Sequence, residues 1–163
     1  MFAKTTMDLA QKVIAALAKE NKMIVTAESC TGGLLAGALT SVPGSSEVVY
    51  GGFVTYANQA KTDMLGVDAR LIQSHGAVSE PVAIAMAEGA ILPGGIDISV
   101  SVTGIAGPGG ASVEKPVGLV HLASARTESP TLHERHVFDG DREKIRLQAI
   151  DAALKLLLQQ AQR

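Results

Sequence analysis

Ser29 stands in the run Ala27-Glu28-Ser29-Cys30-Thr31-Gly32-Gly33, directly after a short apolar stretch and before a helical one. A serine at such a turn is presented at the carboxyl end of a strand, where α/β sheets bind ligands. Unpaired backbone N–H groups at the start of the helix could hold an oxyanion or a phosphate. Two roles are therefore open to Ser29: a nucleophile, or a plain N-cap, a role it would share with Thr31. The run is not a G-x-S-x-G elbow, because Ala27 fills the leading glycine position. A hydroxyl nucleophile needs a base, and His75, His121, His133 and His136 have no acidic companion at a spacing that suggests one. They read as ordinary side chains. His133 and His136, three apart in a predicted strand, face opposite sides and make a poor metal pair. Lysine is the other base for serine, when burial or a nearby cation keeps it neutral. Lys61, just beyond a strand-like stretch ending at Tyr56, is either that base or a solvated lysine on a helix. Cys30 offers a stronger nucleophile as thiolate, but consecutive side chains cannot share one orientation, and a small packing residue is the simpler role.

A second candidate anion site is Thr103-Gly104-Ile105-Ala106-Gly107-Pro108-Gly109-Gly110, whose glycines would let backbone N–H groups approach a phosphate. It lacks the Lys-Ser/Thr of a P-loop and does not fit G-x-G-x-x-G, so it carries no nucleotide fingerprint; the plain alternative is a turn.

The elements that must position these residues follow from hydrophobic spacing. Leu9, Val13, Ala16 and Leu17 predict an amphipathic helix over Thr6–Glu20, and Met23–Ala27 a buried strand. A helix from Leu34 to Thr40 stops at Pro43-Gly44, with Gly32 and Gly33 expected in its first turn. Val48–Tyr56 reads as a strand with Gly51-Gly52 marking a bulge or close approach. Short helices are expected at Lys61–Leu65 and Ala69–Ser74, and a longer one at Pro81–Ala90. Ile96–Val102 alternates apolar and polar residues as a strand does; Val117–Ala123 and Leu132–Phe138 are two more strands. Arg142–Gln160 closes the chain as a helix with a broad apolar stripe. Strands separated by helices predict an α/β sheet covered on both faces. The last two strands have no helix between them, which makes the sheet mixed.

A chain of 163 residues, 47% hydrophobic and 18% charged, excludes intrinsic disorder and predicts one domain over 1–163. Fourteen Lys and Arg against sixteen Asp and Glu leave no basic stripe, and no Trp with three Phe and two Tyr leaves few stacking platforms. Nucleic acid is not the expected partner. A lone cysteine can form neither an internal disulfide nor a zinc knuckle, and no apolar run approaches a membrane span. The expectation is a soluble cytoplasmic domain with no membrane association.

The motifs together resemble the CinA C-terminal domain family, whose best-defined activity is nicotinamide-nucleotide amidase. The Ala27–Gly33 run is similar to that family's signature, and further blocks match in order: Gly51–Tyr56 with Lys61 and Leu65–Val67, Gly76–Ser79, Met86–Gly89, Thr103–Pro108, Lys115–Gly118 and Gly140–Arg142. The resemblance covers nearly the whole chain. It implies a three-layer α/β/α sandwich with a mixed, mostly parallel sheet. It also implies a Ser–Lys amidase that converts nicotinamide mononucleotide (NMN) to nicotinate mononucleotide and ammonia, with no cofactor or metal. Carried over by position, Ser29 is the nucleophile, Lys61 the base and Tyr56 a hydroxyl supporting proton transfer. Thr31, Gly32, Gly33, Thr103, Gly104 and Gly107 belong to the substrate site, and Arg142 contacts the phosphate or substrate. A homo-oligomer is compatible with this reading. Where the family continues with a glycine and a threonine after Gly110, this chain has Ala111-Ser112, which would strain the loop if that position requires positive φ. The competing reading is a non-catalytic nucleotide sensor linked to competence or DNA damage, which would need the glycine loop but not both Ser29 and Lys61.

Overall fold

Ile24–Glu28 (β1) is buried at every residue, as expected of a strand covered on both faces. In the computed structural model, which describes all of Met1–Arg163, it lies inside a five-stranded sheet. The other strands are β2 (Val49–Val54), β3 (Ile98–Gly104), β4 (Leu119–Arg126) and β5 (Ser129–Val137). The helices are α1 (Lys4–Lys19), α2 (Leu34–Thr40), α3 (Asn58–Leu65), α4 (Ala69–His75), α5 (Glu80–Ile91) and α6 (Arg142–Ala161). Every predicted element is present, with its ends displaced by a few residues.

The strand order is β2-β1-β3-β4-β5. β1 runs parallel to both β2 and β3, whereas β4 is antiparallel to β3 and to β5. The sheet is therefore mixed and lies between two helical layers. On one face α1, α2 and α6 pack together and build the larger core with Leu35, Ile98, Val100, Val102 and Leu154. On the other, α5 lies along the sheet with α3 and α4 against it, around Val25, Ala27, Val82 and Met86. The chain leaves β1 through α2 and returns through β2 on one side. It then crosses by α3, α4 and α5 to reach β3 on the other side. The carboxyl end of β1 is thus the point where the order reverses, the place where open α/β sheets form a binding crevice. Ser29 is the next residue.

The alternation in β3 has a different meaning from a half-solvated strand. Both faces are buried. Ile98, Val100 and Val102 enter the larger core, while the hydroxyls of Ser99 and Ser101 donate to the carbonyls of Ala87 and Ala83 in α5, each at 2.6 Å. Small hydroxylated residues bring helix and sheet close while their polar atoms stay satisfied. The histidines are not all isolated either. His121 Nδ1 lies 2.9 Å from His133 Nε2 with the rings stacked, and burial, with His133 beside it, pushes the His121 pKa down to about 4. Strand pairing makes this contact, since Ala123 is opposite His133 and His121 is two residues away on the same face. In the glycine loop, positive φ falls on Gly107 (78°) and Gly110 (89°) and not on Ala111, so Ala111 adds no strain.

Candidate active site

The turn after β1 is tied down before it reaches Ser29's side chain. The Ser29 N–H donates to the Val102 carbonyl of β3 at 2.9 Å, and the Gly32 N–H closes back on the Ser29 carbonyl at 3.0 Å. Gly32 (φ 61°) and Gly33 (φ 94°) adopt left-handed conformations that turn the chain into α2. They precede the helix instead of forming its first turn. The helix start is not free to bind an anion, because Glu28 already occupies it. Its fully buried carboxylate accepts the N–H groups of Gly33 (3.0 Å), Leu35 (3.0 Å) and Ala36 (2.8 Å). A charged acceptor satisfies orphan donors that no N-cap side chain reaches, with the sign the helix dipole favours. Glu28→Gln turns one acceptor oxygen into a donor facing those N–H groups. The expected result is a loss of about 2–3 kcal/mol, measured by denaturant unfolding.

Lys61 comes from α3 on the opposite layer and is 1% exposed. Its Nζ lies 3.1 Å from Ser29 Oγ and donates to the Thr55 carbonyl at 2.8 Å. Thr55 is itself fixed, donating its N–H to the Glu28 carbonyl at 2.8 Å. No carboxylate pairs with Lys61, and burial lowers its pKa below the ordinary lysine value. Cys30 is also buried, and desolvation pushes its thiol up to about 11, so at neutral pH it is a thiol and not a thiolate.

A cavity of about 210 Å³ opens over this pair. Ser29, Cys30 and Lys61 lie at its base, and Ala77, Val78, Thr103, Gly104 and Ala106 form its walls. Tyr56, Asn58 and Arg142 stand at the exposed rim. A side chain at Gly104 would meet Val120, the Leu119 carbonyl and Cys30 within about 3.1 Å, so the wall there has room only for hydrogen. The Thr103 hydroxyl donates to the Ala77 carbonyl at 2.8 Å, joining the two walls. Arg142, the first residue of α6, donates Nη1 to the Gly107 carbonyl (2.8 Å) and Nη2 to the Tyr56 hydroxyl (2.9 Å).

The structure therefore brings together Ser29, Lys61, Tyr56, Thr103, Gly104 and Arg142 around one cavity, with Gly107 linked to it through Arg142. It does not bring Thr31, Gly32 and Gly33 to that cavity. Thr31 is fully buried, and the two glycines serve the turn that Glu28 and α2 require. Cys30, weighed as a nucleophile, and Ala106, in the Thr103–Gly110 loop, also line the cavity, as do Asn58, Ala77 and Val78, which were not candidate site residues. Ala77 and Val78 lie in the Gly76–Ser79 block, the signal that could have found them, and Asn58 lies in none of the blocks.

A buried serine–lysine pair at the reversal point of an α/β sheet has the parts of a site in which an amine could take a proton from a hydroxyl. The sequence pattern of the CinA C-terminal domain matches residues 6–161, and the chain belongs to that family. It is 47% identical over 154 residues to nicotinamide-nucleotide amidohydrolase PncC of Escherichia coli (strain K12), covering 94% of this chain and 93% of that protein. A CinA-like protein of Anaeromyxobacter sp. (strain K) is 50% identical over 157 residues, covering 96% of this chain. The chain spans only 38% of the length of that relative. Among solved structures, the competence/damage inducible protein CihA from Agrobacterium tumefaciens superposes with a TM-score of 0.96 at 47% identity, covering 100% of this chain and 99% of that one. No helix is long and apolar enough to cross a membrane.

Proposed function

We propose that residues 1–163 form one catalytic unit, an amidohydrolase that removes ammonia from the carboxamide of NMN through a Ser29–Lys61 acyl-enzyme. One observation carries the mechanism: a buried lysine without a carboxylate partner, 3.1 Å from a serine hydroxyl at the base of a cavity. Burying an amine in this way costs stability, and a protein that only sensed nucleotides would have no use for it. The likeness to E. coli PncC over almost the full length of both chains supports the substrate.

An amide carbonyl is a weak electrophile, so attack needs an activated hydroxyl and a polarising donor. Neutral Lys61 takes the Ser29 proton as Oγ bonds to the carboxamide carbon. The carbonyl oxygen becomes an oxyanion beside the Cys30 N–H, which has no backbone acceptor and belongs to a cavity residue. Collapse breaks the C–N bond, and the proton held by Lys61 goes to the leaving nitrogen, releasing ammonia. Water then attacks the acyl carbon and gives a proton to Lys61; collapse breaks the Oγ–acyl bond as Lys61 returns that proton to Ser29 Oγ, freeing nicotinate mononucleotide and restoring both residues. The pyridinium charge of the substrate helps keep Lys61 neutral. The direct test is ammonia release from NMN by the purified chain, compared with Ser29→Ala.

Arg142 is the residue for the phosphate. Two of its five N–H groups are engaged by Gly107 and Tyr56, and the rest are available at the rim. A charge-assisted contact contributes about 1.5–3 kcal/mol, so Arg142→Ala is expected to cost roughly ten- to a hundredfold in kcat/KM on NMN. The loss on free nicotinamide, which has no phosphate, is expected to be much smaller. Equal losses on both substrates would remove Arg142 from the phosphate contact.

A further inference from the structure

Arg146 lies one turn beyond Arg142 on α6, and its guanidinium grips the nucleophile turn from behind. Nε donates to the Cys30 carbonyl and Nη2 to the Thr31 carbonyl, both at 3.0 Å. These are its hydrogen bonds to the protein, and no carboxylate pairs with it. A Cβ at Gly32 would stand 3.3 Å from Nη2, and Gly32 has φ 61°, so glycine leaves room for the guanidinium as well as making the turn. From the other side the Glu28 carboxylate holds three N–H groups of the same segment and the helix it opens. A cation therefore takes two carbonyls of the Ser29–Gly33 turn, and an anion takes the Gly33 amide at its end with two more from α2.

We propose that Arg146 is a positioning residue for the acyl-transfer reaction, acting through the peptide planes that follow Ser29. A peptide is planar and trans, so a carbonyl held by Arg146 sends the N–H of the same plane the opposite way. Fixing the Cys30 carbonyl fixes the direction of the Thr31 N–H. Fixing the Thr31 carbonyl sends the Gly32 N–H back to the Ser29 carbonyl, where it bonds at 3.0 Å. Neither the Cys30 nor the Thr31 N–H has a backbone acceptor, and of these two residues only Cys30 lines the cavity. Through the Gly32 N–H on the Ser29 carbonyl, Arg146 thereby fixes the plane that carries the Cys30 N–H; it keeps Ser29 Oγ on Lys61 and holds that one donor, on a cavity residue, for negative charge that develops in the transition state and not in the bound substrate. Planar, two-pronged donation suits this role, and a lysine ammonium cannot reproduce it.

This inference rests on the amidase reading, and its test separates the two. Wild type, Arg146→Ala and Arg146→Lys are compared by steady-state NMN hydrolysis and by hydrogen–deuterium exchange of the segment 29–36. A misplaced turn costs about a hundredfold, so Arg146→Ala is expected to lose that factor in kcat with KM held within about threefold. Exchange should quicken in the 29–36 segment alone, and added guanidinium ion, well below denaturing concentration, should recover part of both signals. Arg146→Lys should fall between the two. If Arg146→Ala does not fold, the lysine variant decides: a kcat loss with local loosening supports the role. A kcat within threefold of wild type, or unchanged exchange of the turn, overturns it in either variant, as does a loss confined to KM. If wild type releases no ammonia from NMN, the amidase reading fails, and exchange with guanidinium rescue alone decides the role of Arg146.

Discussion

Ser29→Ala is expected to remove several orders of magnitude from kcat, leaving only what binding and the oxyanion donors contribute. The reason is geometric. Lys61 has one hydroxyl within reach, Ser29 Oγ, and its other contact is a backbone carbonyl that cannot react. Cys30→Ala is the matched control. The thiol next to Ser29 is pushed up to about 11 by burial, so no appreciable thiolate exists at neutral pH to substitute for the serine. That variant should keep most of the activity. Mass spectrometry of enzyme quenched during turnover should find the acyl group on the peptide carrying Ser29. Activity retained in Ser29→Ala and lost in Cys30→Ala would reverse the assignment.

Lys61 gives the second large effect, with opposite signs in activity and stability. As base, Lys61 must be neutral, so kcat/KM should rise with pH through one ionisation displaced below the ordinary lysine value of about 10.4. Lys61→Met should abolish that ionisation together with turnover. Stability follows from linkage. The folded-state pKa lies below the unfolded one, so between the two values the unfolded chain holds a proton that the folded chain does not. Folding is therefore favoured as pH rises through that window, and at lower pH the full cost of a buried ammonium remains. Removing the charge with a methionine of similar length should raise Tm at pH 7 by roughly 3–6 °C, on the order of 1–2 kcal/mol. A Lys61→Met variant that is inactive and less stable would show instead that the lysine is a structural anchor.

Much of this arrangement was legible in the residues. The apolar stripe of α6 and the short, mostly apolar run into β1 stand out in the sequence, and the motif pattern singles out Ser29, Lys61, Tyr56 and Arg142. What escaped was whatever depends on one element docking against another. Alone, Lys61 reads as a solvated helix lysine, and only the packing of α3 under the sheet end turns it toward Ser29. Arg146 is one charge among several on an amphipathic helix, separated from the carbonyl it holds by 116 residues. Glu28 sits inside the signature, yet its bonds run five, seven and eight residues forward, a span no local capping rule describes. The same limit explains Gly32 and Gly33. Their type was informative, but whether they faced a ligand or made a turn was decided by the carboxylate behind them.

The positions of α3 and α6 on opposite layers of the sheet bear on how the protein reaches its working state. Ser29 enters the cavity from the central strand, Lys61 from one layer and Arg142 from the other, the layer from which Arg146 holds the turn after Ser29. None of these side chains is placed by local structure alone, because each depends on a helix settling against the sheet. During refolding, circular dichroism follows the helices as they form, whereas the proposed hydrolysis is expected only once both layers have docked. Enzymatic recovery is then a clock for the last assembly step, and a mutation that loosens either layer would delay it without delaying the appearance of helices.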